Sequence, residues 1–150
     1  METVTTTTAL VAAFLNAAAC AAGASMWWRH EVRRWAWALV RIGQAGSIAL
    51  AVVAAVAYAS GARPDDGLFW LYALLPVAIG LFAEQFRLLS ARTVLDARDL
   101  PDAQAVGRLP EAEQRAIVAD IVRRELGVMT VAAGVVTVLA LRAAALAGGL

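Results

Sequence analysis

Apolar positions along the chain gather into four long windows that contain no charge. They are Thr3–Trp28 (26 residues), Ile42–Ala62 (21), Gly67–Ala83 (17) and Leu126–Leu141 (16). A helix needs about 20 apolar residues to cross a hydrocarbon core roughly 30 Å thick, so the first two windows suffice as they stand. The last two reach that length only with Glu84 and Arg142 at the interfaces, the Arg142 guanidinium snorkelling outward. The pattern predicts an all-α, polytopic membrane protein with four transmembrane helices, over about 4–28, 37–60, 67–89 and 126–147. The first window is too long for the apolar core of a cleaved signal, and only Glu2 stands where a signal carries positive charge.

The last window continues a second pattern. Pro110–Glu125 is amphipathic, with Ile117, Val118, Ile121 and Val122 forming an apolar stripe among charged residues. Leu109–Leu146 is therefore expected as one helix about 55 Å long, half in water and half in lipid. Ser90–Asp99 extends the third helix beyond the membrane. The breakers Leu100-Pro101 and Gly107–Pro110 turn the chain back, with Pro110 placed for a helix start. The expected result is a cytoplasmic helical hairpin over about 90–125 that extends helices three and four of a single domain. Asp120 is spaced to pair with Arg123 and Arg124 on its own helix.

Charge fixes the expected orientation. Of 13 arginines, 11 flank the connections 29–41 and 87–124, while the loop between spans two and three has Arg63 with Asp65 and Asp66. The positive-inside rule puts both arginine-rich connections in the cytoplasm and both termini outside. Aromatic residues agree, with Trp27, Trp28, Trp35 and Trp37 at the inner interface and Tyr58, Phe69, Trp70 and Tyr72 at the outer one. Two rows of small residues at intervals of four suggest close helix crossings: Ala13, Ala17, Ala21 and Ser25, and Gly43, Ser47, Ala51, Ala55 and Ala59. Pro76 removes a backbone donor inside span three, and Gly80 follows one turn later.

Composition adds limits. The chain is 61% hydrophobic with net charge +1, too apolar for a soluble domain and without the basic face that nucleic acid requires. Every basic residue is Arg and alanine is abundant, which reads as a GC-rich bacterial genome and hence a bacterial plasma membrane. The lone Cys20 and lone His30 leave no disulfide, no CxxC pair and no imidazole pair for metal or haem. No phosphate-binding glycine motif is present, and His30 stands among Arg29, Arg33 and Arg34, a poor setting for a catalytic base. Neither enzymatic activity nor a cofactor is expected. Asp96, Asp99 and Asp102 are carboxylates at intervals of three, but Arg92 and Arg98 compete for their charge, so no metal site is expected either.

Five polar residues inside or at the edge of the spans remain as candidates: Asn16, Arg41, Gln44, Glu84 and Gln85. Ionisable groups at such depth are costly unless paired, which makes them candidates for function. Arg41 and Gln44 match the depth of Glu84 on the neighbouring antiparallel helix, so an Arg41–Glu84 pair is expected, with Arg87 as the other possible partner and His30 close by. Asn16, among alanines, must find a partner on another helix or another copy. Thr130 and Thr137 are expected to return their hydroxyls to their own helix. Two functions fit. One is an oligomeric channel or transporter for ions or small solutes, its path lying between copies because thin alanine-rich helices leave little room within one. The other is a non-catalytic accessory or scaffold subunit that docks a protein partner through its charged collar.

Overall fold

The computed structural model describes residues 2–62 and 67–147, and the Arg63, Asp65 and Asp66 loop charges lie outside them. The chain folds into α1 (Glu2–Arg29), α2 (Arg34–Ala59), α3 (Leu68–Asp96), the single turn α4 (Ala103–Val106) and α5 (Glu111–Ala147), with no strand among the described residues. All but α4 are long and apolar enough to cross a membrane. The 37 residues of α5 make it about 55 Å long, and it starts directly after Pro110. Gln114 closes that start by donating to the Leu109 carbonyl at 2.8 Å.

Three helices end in the same device. The amide of Ala62 donates to the Ala57 carbonyl and that of Gly61 to Tyr58, with Gly61 at φ 86. This is a Schellman stop, in which one left-handed residue reverses the chain. Leu100 donates likewise to Leu95 around Asp99 (φ 54), and Glu31 to Met26 around His30 (φ 58). Asp and His tolerate the left-handed region better than most side chains. Helix termination therefore occupies two residues, His30 and Asp99, that the sequence reading weighed for chemistry and set aside.

The helices run alternately up and down. Ala9, Ala54, Phe69 and Ala143 meet at one end, Ala19, Val40, Ala83 and Met129 in the middle, and Met26, Ala36 and Leu126 at the other end. The turn at His30 and the α3–α5 connection thus share one end, and the Gly61 turn lies at the opposite one. Packing is strongest for α1 on α5, α3 on α5 and α1 on α2; α2 and α3 form the weakest seam of the ring. The core is mostly alanine, and Leu50, Ile117, Leu126 and Pro76 are its largest fully buried side chains. Small residues allow close approach where lipid gives helices no hydrophobic reason to associate.

The packing faces differ from strict rows of four. In α1 the buried positions are Thr5, Ala9, Ala12, Ala13, Asn16, Ala19, Gly23 and Met26, whereas Ala21 and Ser25 face outward. In α2 the face is Ala36, Val40, Gly43, Ser47, Leu50, Ala54 and Ala57, and Ala55 and Ala59 are exposed. Four residues turn a helix through about 400°, so a strict row drifts about 40° per step and leaves the interface within a few turns. Alternating steps of three and four stay on it.

At the arginine-rich end, α3 continues beside the start of α5, with Val94 and Ile117 both buried. Arg98, just past α3, reaches Asp120 at 2.5 Å. Asp120 therefore pairs across the two helices rather than with Arg123 or Arg124. Arg123 instead places its guanidinium 5.5 Å from the Trp27 ring.

Candidate functional site

The site is built where α2, α3 and α5 converge near the arginine-rich end. Arg41 and Gln44, three residues apart on α2, share one helix face. The Arg41 Nη1 donates to Gln44 Oε1 at 2.8 Å and to Glu84 Oε1 at 2.5 Å. Gln44 Nε2 donates to the same Glu84 oxygen at 3.0 Å. The other oxygen, Oε2, accepts from Arg87 Nε at 3.1 Å. Arg87 then lies 3.7 Å from Glu125 on α5 and 5.6 Å from the Trp37 ring on α2.

Four charges of alternating sign, Arg41, Glu84, Arg87 and Glu125, thus form a neutral chain across three helices. Neutrality is what the location demands, since a lone charge near hydrocarbon is costly and a paired one far less so. The depth match anticipated Arg41–Glu84, and Arg87 takes part as well instead of replacing Arg41. Glu125 was missed by the sequence reading. Its signal was available: it is the last charged residue before the uncharged half of α5, at the depth of Glu84.

Asn16 is buried on α1 and faces α2. Its Nδ2 lies 2.9 Å from the carbonyl of Ala12, 3.0 Å from that of Gly43 and 3.3 Å from Ser47 Oγ. The amide finds its partner within the same chain. The crossing is close because Gly43 and Gly46 lack side chains: a Cβ at Gly43 would lie 3.0 Å from Asn16 Oδ1, and one at Gly46 would lie 3.1 Å from Leu15.

Between Asn16 and the charge chain lies a cavity of about 240 Å³. Asn16, Gln44, Ser47, Arg41 and Glu84 line its polar side, and Pro76, Met129 and Val136 its apolar side. It occupies the weak α2–α3 seam. Gly80 leaves it open, since a Cβ there would meet nothing within 4 Å. Pro76 is fully buried at its wall and α3 runs unbroken through it; the proline cannot donate to the Tyr72 carbonyl one turn back. Ile48 and Leu81, both more than half exposed, flank the seam on the outer surface of the bundle. The room inside one copy exceeds what thin, alanine-rich helices lead one to expect. Composition counts thin side chains, but it does not say that two helices stand apart.

Other candidates fall elsewhere. Gln85 is exposed, lies outside the cavity lining and makes no hydrogen bond among the described residues; one residue along a helix is about 100° around it from Glu84. His30 stands with Glu111 and Arg115 on a charged groove beside α5, away from Glu84. Asp102 caps α4 by accepting from the Ala105 amide at 2.8 Å, and Asp99 stops α3. Thr130 and Thr137 donate to Leu126 and Ala133 on their own helix. No three His, Cys, Asp or Glu residues among those described could hold a metal ion. Each charged group of the arrangement is ion-paired, and the polar cavity lies beside the least packed seam of the ring. No protein-family model, curated protein or solved structure matches the chain.

Proposed function

We propose that the protein moves an ion or a small solute across a membrane through the cavity between α2 and α3. The observation that supports this most is convergence. Asn16, Gln44, Ser47 and Glu84 come from three helices, yet all line one space. Lipid penalises scattered polar groups, whereas a wetted path gathers them. In this reading the Arg41–Glu84 contact closes the path at the arginine-rich end, and separation of α2 from α3 opens it. That end faces the cytoplasm of a bacterial plasma membrane, with the α3–α5 hairpin as its collar and both termini outside. A path within one copy leaves the expected homo-oligomer the task of covering lipid-facing surface.

The test is flux of ions and small polar solutes into liposomes holding the purified protein. Transport that falls on substitution of Gln44 or Asn16, in protein of unchanged assembly, supports the reading; no flux of any solute rejects it. A second reading, an accessory subunit, draws on the charged groove of about 630 Å³ beside His30, Glu111 and Arg115. It predicts capture of a protein partner that is lost when the collar charges are reversed.

A further inference from the structure

A second concavity, about 850 Å³, lies on the outside of the bundle between α1, α3 and α5, and shares only Ala83 and Ala132 with the polar cavity. Its floor is small, with Ala24, Ala83 and Gly127, and its walls are bulky and exposed, with Phe82, Phe86 and Val131. Along α5 it runs from Arg124 to Val135, about 16 Å at 1.5 Å per residue. That is the depth of one leaflet, half of a hydrocarbon core roughly 30 Å thick.

The polar end of this groove carries a cation and an indole N–H. Arg124 is exposed and has no ion pair among the described residues. Trp27 lines the same groove, its indole Nε1 3.4 Å from where a Gly127 Cβ would be. The lining hydroxyls give their protons to their own helices: Ser90 donates to Phe86, Thr93 to Leu89 and Thr130 to Leu126. No carboxylate among the described residues lines the groove. The carboxylates near this depth, Glu84 and Glu125, are turned into the charge chain.

We propose that this groove binds an anionic phospholipid, its headgroup on Arg124 and Trp27 and an acyl chain along the α3–α5 wall. Length, apolar lining and a free cation at the interfacial end match that ligand together. A zwitterionic lipid would bring its own cation to a site that offers no anion. The Arg123 guanidinium against the Trp27 ring holds the indole at the groove mouth.

The experiment titrates the full chain in detergent with phosphatidylglycerol and with phosphatidylcholine, reading bound lipid by native mass spectrometry. Phosphatidylglycerol is expected to bind about fivefold more tightly, as one cation near an anionic headgroup allows. Arg124→Gln should erase that preference, whereas Arg34→Gln, at the same end but outside the groove, should keep it. Val131→Trp, which fills the groove, should weaken both lipids in protein that still elutes at its normal size. A preference that survives Arg124→Gln, or falls equally with Arg34→Gln, overturns the proposal in favour of diffuse charge. So does disulfide trapping of Phe86→Cys between two copies in lipid-replete membranes, which would show that a second copy covers the groove.

Discussion

The amide of Asn16 donates to the backbone carbonyl of Gly43 at 3.0 Å, and the Cα of that same glycine faces the Asn16 side chain so closely that a Cβ would lie 3.0 Å from Asn16 Oδ1. One residue supplies the polar tie between α1 and α2, and the other supplies the approach that makes it possible. Asn16→Ala should cost about 1 kcal/mol, a usual value for an interhelical hydrogen bond in a membrane. Gly43→Ala should cost about 1–3 kcal/mol through overpacking. The double variant should cost less than the sum, because alanine at 16 removes the oxygen that the new methyl would meet. Unfolding titrations in mixed micelles measure all three.

The charge chain makes a second set of expectations. Glu84→Gln leaves Arg41 and Arg87 facing each other across a neutral amide, so it should destabilise more than Arg41→Ala, which removes one end of the chain. Arg41 is about half exposed and Glu84 one-quarter exposed; exposure weakens the pair by screening, so about 1–2 kcal/mol is expected for Glu84→Gln. The Arg41→Ala and Glu84→Ala cycle should be non-additive. Strict additivity would show that the two side chains contribute independently.

Helix termination predicts a gain. Asp99 and His30 hold left-handed backbone at a cost that glycine avoids. Asp99→Gly should stabilise by about 1 kcal/mol, read as a higher unfolding midpoint, and His30→Gly should do the same. A metal or catalytic role for either residue would instead show as lost activity without stabilisation.

These two residues mark where the sequence was readable and where it was not. Uncharged windows and chain breakers located the four long helices, whose bounds agree within a few residues, and the matched positions of Arg41 and Glu84 sufficed to pair them. The face that a residue occupies did not follow from depth. Gln85 shares the depth of Glu84 but not its azimuth, and only the rotation of α3 in the bundle decides which of them meets α2. Asp120 chose Arg98 over its own helix because the α3–α5 turn brings a distant cation closer than local spacing could show. The cavity was hidden for a similar reason, since the α2–α3 separation is a property of the whole ring and not of either helix.

Topology is open to direct chemical reading. With Cys20→Ala as background, cysteines at Ser60 and Ala103, both exposed, report the two ends of the bundle. An impermeant thiol reagent applied to intact cells should label Ser60→Cys and leave Ala103→Cys untouched until the cells are opened. Labelling of the Ala103 site from outside would invert the orientation.

Gly80→Leu tests the transport path most directly. Gly80 lines the cavity and a Cβ there meets nothing within 4 Å, so a larger side chain starts without a clash and projects into the cavity, and exchanging a mid-helix glycine should hold or raise stability. Flux through liposomes, measured beside the unfolding midpoint of the same preparation, separates the two effects. A path through the cavity predicts flux lost at unchanged or greater stability; flux that persists at the wild-type rate with the cavity filled would contradict it.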